Sequence, residues 1–176
     1  MPELLLLRHA KSDWKAAAED DFERPLAKRG RRAAPLMGKY LRAEKLEPNL
    51  VLCSSARRAR ETLELVSAAL ASAPEISYLK SLYLAPPSRM IAVLRRQKPE
   101  TGRILLIAHN PGLQRLALEL ARGAAGRGHG AARRRLAEKF PTAALARLRI
   151  AAWETLGEAP AELLTFIGPR DLEGEA

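Results

Sequence analysis

Four consecutive leucines, Leu4 to Leu7, run directly into Arg8-His9-Ala10-Lys11-Ser12, and no other stretch constrains the fold of this chain as much. An apolar run of this length, ending in polar and small residues, reads as a strand buried on both faces whose carboxyl end opens into a loop. Ligands of open α/β sheets bind in the crevice outside the carboxyl ends of the strands. Arg8 and His9 are therefore expected side by side where a substrate is met.

A second run, Arg103 to Ala108, ends the same way and delivers His109-Asn110-Pro111-Gly112 ahead of a helix-periodic stretch from Leu113. Between the two, Leu50 to Cys53 reads as a third strand. It empties into Ser54-Ser55-Ala56-Arg57-Arg58-Ala59-Arg60-Glu61-Thr62, the opening of a helix. Parallel strands place their carboxyl ends on one edge of the sheet. Two histidines and several arginines are thus expected to converge on one crevice.

The remaining elements follow from periodicity and punctuation. Apolar residues Ala33, Leu36, Met37, Tyr40 and Leu41 predict a helix from Lys28 to about Leu46, with Pro48-Asn49 beyond its end. A second helix is expected from Arg57 to about Ala71, closed by Pro74. Ile76 to Leu79 reads as a short strand, and Ser88 as the cap of a helix reaching about Arg96. Helices are also expected from about Gly112 to Ala121 and near Ala131 to Lys139, separated by a Gly-rich loop from Arg122 to Gly130. Ala143 to Ile150 and Leu163 to Ile167 read as closing strands, with one more near Ala152 to Thr155. Strands alternating with helices imply a three-layer α/β/α sandwich around a mainly parallel central sheet. At 176 residues, with no internal repeat and no compositional break, residues 1–176 are expected to form one domain.

No apolar run approaches the roughly 20 residues of a membrane span. Met1-Pro2-Glu3 lacks the basic start of a secretory signal. A single cysteine leaves no internal disulfide and fits a reducing compartment, so a cytoplasmic location is expected. A net charge of +10 raises a nucleic-acid reading. Against it, the basic residues are spread over most predicted helices, apart from a cluster at Arg133-Arg134-Arg135, and aromatics make up only 5%. A solvated basic surface that attracts a phosphorylated substrate fits better. Three histidines and one cysteine offer no metal-ligand spacing, and no cofactor is expected. Cys53 followed by five spacer residues reaches Ala59, where a cysteine phosphatase loop has its arginine, so Cys53 is expected in the core.

In order along the chain stand Leu7-Arg8-His9-Ala10-Lys11-Ser12, Arg24-Pro25-Leu26 with Arg29-Gly30, and Ser54-x-x-x-Arg58-Ala59-x-x-Thr62. His109-Asn110-Pro111-Gly112 and Lys139-Phe140-Pro141-Thr142 follow. This ordered set resembles the histidine phosphatase, or phosphoglycerate-mutase-like, superfamily, and most nearly its SixA-type phosphohistidine phosphatase branch. Only the Arg- and Gly-rich stretch from about 122 to 135 has no counterpart in it. The resemblance implies a metal-independent phosphatase working through a phosphohistidine intermediate, with His9, Arg8, Arg58 and His109 as catalytic residues.

The chemistry of the side chains supports the same roles. An imidazole attacks phosphorus only through an unprotonated nitrogen, a form available at neutral pH with an ordinary pKa of about 6.5. Arginine, always charged and forked, suits the phosphoryl oxygens. Arg8 and Arg58 are the expected clamps, with Arg57 a near competitor by position, and His109 is expected to donate to the transferring group. Ser12, Lys11 and Asn110 are candidate phosphate donors, Asn110 through its backbone N–H near a helix start. Ser12 and Lys11 equally fit a role in shaping the loop.

Larger members of the superfamily carry a glutamate acid in the region that here reads Leu79-Lys80-Ser81-Leu82-Tyr83-Leu84-Ala85, without a carboxylate. A strongly basic alkoxide leaving group needs a proton in the transition state, whereas an imidazole leaving group with a pKa of about 6.5 is a far weaker base. The expected substrate is therefore a phosphohistidine on a signalling or phosphotransfer protein. If Asp13 or Asp21 supplies a proton, small phosphomonoesters stay in play. A non-catalytic basic module that binds phosphate groups or nucleic acid is the remaining alternative.

Overall fold

The computed structural model describes residues 1–17, 20–123 and 129–174. Six strands form one sheet: β1 (Glu3–Arg8), β2 (Leu50–Ser54), β3 (Glu75–Leu79), β4 (Arg103–Ala108), β5 (Leu145–Arg149) and β6 (Glu162–Ile167). Their spatial order is β3-β2-β4-β1-β5-β6, parallel throughout except for β5, which runs against both of its neighbours. The helices are α1 (Lys28–Ala43), α2 (Arg57–Ser67), α3 (Pro87–Arg95), α4 (Gly112–Leu120), α5 (His129–Glu138) and α6 (Pro169–Glu173).

Side chains alternate across a strand, and the leucine run divides accordingly. Leu5 and Leu7 join Val51, Ile107 and the apolar faces of α1 and α2. Leu4 and Leu6 join Ile104, Leu106 and residues of α3, α4 and α5 such as Met90, Leu116 and Leu136. All four leucines are fully buried, which stabilises the fold by roughly 2 kcal/mol apiece. This is the expected three-layer α/β/α sandwich with a mainly parallel sheet.

Several local expectations need correction. The first helix stops at Ala43, short of Leu46, because Lys45 adopts the left-handed region with φ 57°, and the second stops at Ser67, short of Ala71. The third helix begins at Pro87, with Pro86 at its cap, so Ser88 lies inside the first turn and caps nothing. Proline is favoured there because its missing N–H lacks a helical partner in any case. No strand forms near Ala152 to Thr155. That segment is a set of turns in which Trp153 is fully buried and donates its indole N–H to the Thr101 carbonyl at 2.7 Å. Of the predicted Gly-rich loop, residues 124–128 lie outside those described, and His129 opens α5 instead of ending the loop.

Gly30 sets how closely α1 approaches the loop after β1. The Ala27 N–H donates to the Lys11 carbonyl at 2.9 Å, and a Cβ on Gly30 would lie 2.2 Å from that same oxygen. Gly30→Ala is expected to lower stability by about 2 kcal/mol or more through this backbone clash. Urea unfolding checks it, and an unchanged midpoint would contradict the close approach.

Candidate active site

The β1–β4 register pairs Arg8 with Ala108, so His9 and His109 leave adjacent strands at the same height. Their rings lie with centroids 5.1 Å apart, tilted by 52°. The Nδ1–H of His9 donates to the Ala10 carbonyl at 2.8 Å. A carbonyl can only accept, so the ring proton occupies Nδ1 and the neutral ring carries its lone pair on Nε2. Burial is the main influence that pushes this imidazole well below its ordinary pKa; the charges of Arg58 and Arg8 act with it, as a proton on His109 would, against the Ala10 hydrogen bond.

His109 is 2% exposed and shares a 2.7 Å hydrogen bond between Nε2 and the Ser54 hydroxyl at the end of β2. Ser54 also accepts from the Ala56 N–H at 3.3 Å. The buried Nδ1 of His109 has no hydrogen-bond partner among the described residues. Burial first, and then the Arg58 charge, lower this imidazole to about 3.

Arg58 stands in the first turn of α2, 2% exposed, with Nη1 donating to the Asp21 carbonyl at 2.7 Å and Nη2 to Asp21 Oδ2 at 3.0 Å. Its competitor Arg57 is turned outward and pairs with Glu61 at 3.6 Å. Arg8 donates from Nη1 to the Phe140 carbonyl at 2.9 Å. Burial, followed by the Arg58 charge, lowers the pKa of Arg8, and neither arginine's buried Nε has a partner among the described residues. Thr62 ties the two sides together: its Oγ1 accepts from the Ala10 N–H at 3.0 Å and donates to the Arg58 carbonyl at 2.6 Å.

Several participants carried no functional signal in the sequence. Arg24 is buried, donates to Ser12 Oγ, pairs with Asp21 at 2.8 Å and lies 3.5 Å from the ring centroid of Trp14. Tyr83 packs its ring against His109 at 5.5 Å and donates its hydroxyl to Asp21 Oδ2 at 2.5 Å. The Phe140 carbonyl accepts from Asn110 Nδ2 at 3.1 Å as well as from Arg8. Arg24 belongs to Arg24-Pro25-Leu26, Phe140 to Lys139-Phe140-Pro141-Thr142, and Tyr83 to the loop from Leu79 to Ala85 that holds no carboxylate. Nothing in the spacing showed which way their polar groups turn.

Asp21 does not suit the role of proton donor. Burial alone would raise its carboxyl, but hydrogen bonds from Tyr83 and Arg24 and the charge of Arg58 hold it far below the usual carboxylate range. Asp13 accepts from the Lys15 N–H at 2.8 Å at the surface. Lys11 is exposed, Ser12 is bound by Arg24, and the Asn110 side chain accepts from the Gln114 N–H at 3.2 Å. With both imidazoles neutral, Arg8, Arg24 and Arg58 face one aspartate. The cluster therefore carries a net charge of about +2, suited to a dianion.

The buried neutral imidazoles have a consequence for acid stability. As the pH falls below the ordinary 6.5, the unfolded chain takes up protons that the folded site refuses, and stability falls. For His109 the loss extends from 6.5 down to about 3. The carboxyl of Asp21, depressed in the folded state, stabilises above 3.8 and loses that contribution as the pH falls further. Urea unfolding is expected to give a lower midpoint at about pH 5 than at about pH 7. A flat profile would contradict the burial of uncharged rings.

A sandwich that gathers two neutral imidazoles and an excess of guanidinium charge at the carboxyl edge of its sheet is equipped to handle phosphoryl groups. The comparisons with known proteins agree. The family model of the histidine phosphatase superfamily (branch 1) matches residues 4–82. An uncharacterized protein of Mycobacterium leprae is 38% identical over 168 residues, which cover 93% of this chain and all of that protein. A Nakamurella multipartitia structure bearing the name phosphohistidine phosphatase SixA superposes with a TM-score of 0.83 at 29% identity, over 96% of each chain. The protein histidine phosphatase SixA complexed with tungstate gives 0.78 at 25% identity, over 97% of this chain and 99% of that one. The chain belongs to the histidine phosphatase superfamily, in its SixA-type group, and is a phosphatase.

Proposed function

We propose that this phosphatase removes phosphoryl groups from histidine in proteins, through a covalent intermediate on His9. The carrying observation is the pair of buried neutral rings 5.1 Å apart, beside arginines whose charge is only partly balanced. His9 Nε2 attacks phosphorus, the P–N bond to a substrate imidazole protonated on its other nitrogen breaks, and that ring departs as neutral imidazole, a weak base. Water then attacks the phosphorus on His9, releases inorganic phosphate and returns the lone pair to Nε2. Splitting the transfer in this way replaces one hard step with two easier ones.

Arg8 and Arg58 balance the charge on the phosphoryl oxygens, and the unpartnered Nδ1 of His109 serves the same group as a donor. That tautomer follows when the Ser54 hydroxyl donates to Nε2. The Ser12 hydroxyl and the Asn110 backbone N–H border the same edge as further phosphate ligands. Tungstate, bound by the SixA relative, is a tetrahedral oxyanion of the kind this charge suits.

The leaving group decides the substrate. The cluster's carboxylate, Asp21, is held ionised, so a basic alkoxide would leave without a proton from it. A phosphohistidine ring protonated on its other nitrogen leaves as neutral imidazole, whose conjugate acid has a pKa of about 6.5 against about 15.7 for water, and tolerates that lack. In the presence of EDTA, kcat/KM for a phosphohistidine protein is expected to exceed that for alkyl phosphomonoesters by about 100-fold or more. The reverse order would make the chain a small-molecule phosphomonoesterase. Phosphate or DNA binding without turnover would make it a binding module.

A further inference from the structure

We infer that a basic cleft beside the His9 loop docks an acidic segment of the phosphorylated protein; this rests on the protein-substrate reading above. The cleft has a volume of about 760 Å3 and is lined by Lys11 after β1, Arg29 and Arg32 in α1, Lys139 after α5, and Arg170 in α6. All five side chains are exposed, and none makes a hydrogen bond or salt bridge among the described residues. Arg135 and Asp171 neutralise each other across the cleft at 2.7 Å. Glu138 and Glu173 are the carboxylates left to face five cations, an excess of three positive charges.

The placement ties this surface to the reaction. Lys11 lies two residues beyond His9, and Pro141 and Thr142 line the cleft directly after Phe140, whose carbonyl holds Arg8. A chain lying there is within a few residues of the transferring phosphoryl group. Exposed cations spread over four segments suit a string of carboxylates better than a single phosphate, which calls for converging buried donors. Half-buried Ala33, Leu36 and Pro141 add apolar contact between the charges. Nucleic acid fits less well, because Phe166, the aromatic of the lining, is only 5% exposed and offers no stacking face.

The test separates docking from chemistry. The Arg32→Glu/Arg170→Glu variant is expected to raise KM for a phosphorylated histidine-containing phosphotransfer domain about tenfold at low salt, with the difference fading at high salt. Its kcat, and its hydrolysis of phosphoramidate, are expected to stay unchanged. Should the charge reversal disturb folding, Arg32→Ala/Arg170→Ala is expected to raise KM about threefold. A fluorescent oligoglutamate peptide is expected to bind the wild-type chain and the His9→Ala variant alike, and to lose affinity for the charge-reversed one. An unmoved KM, an equal loss on phosphoramidate, or tighter binding of single-stranded DNA than of oligoglutamate would overturn the docking cleft. Wild-type protein that hydrolyses phosphoramidate but not the phosphoprotein would overturn the protein-substrate reading itself, and the cleft's role with it.

Discussion

His9→Ala is expected to lower kcat by about 10,000-fold or more while the chain stays folded, because it removes the attacking atom and little else. The side chain's hydrogen bond is local, to the Ala10 carbonyl. The loop is held independently, by Ala10 N–H on Thr62 and by the Ala143 N–H on the carbonyls of Arg8 and His9. Thermal melting of the variant is therefore expected near that of the wild type. Wild-type protein quenched in alkali, where a P–N bond survives, is expected to carry one phosphoryl group that the variant lacks. Unchanged turnover, or an intermediate that survives the substitution, would discard His9 as nucleophile.

Arg58→Met is expected to separate activity from stability. It keeps most of the side-chain volume and removes the charge, so kcat/KM should fall about 1,000-fold through lost stabilisation of the phosphoryl oxygens. Stability should hold or rise. Arg58 and Arg8 repel each other in a buried setting, and Asp21 retains Arg24 and Tyr83 when Arg58 is gone. Breaking a buried pair is ordinarily costly because one charge is left unmatched; here the partner keeps other donors. A steep loss of stability with little loss of activity would mean that the Arg58–Asp21 pair is a brace for the fold instead.

How far the sequence reveals this arrangement depends on whether a signal is local. The strand ends were legible because an apolar run followed by Arg-His or His-Asn marks both a buried strand and its mouth. Parallel pairing then places the two mouths together, as the Arg8–Ala108 register does. Arg58 was distinguishable from Arg57 by its motif spacing, and the helix turns the first inward and the second outward. Long-range polar partnerships were not legible. Asp21 lies 37 residues from Arg58 and 62 from Tyr83, and nothing local shows that it meets either. The false strand near Trp153 arose because a bulky β-former in an apolar stretch carries the same signal whether it sits in a sheet or plugs a core from a turn.

The oxygen of Phe140 works like a keystone. It receives Arg8 from one strand mouth and Asn110 from the other, so neither can be re-spaced without disturbing its counterpart. Adaptation to bulkier or smaller substrates has little freedom on that flank. The opposite shoulder is less bound: there Trp14 stands 72% exposed over Arg24, and the chain can be remodelled while the reacting centre keeps its alignment.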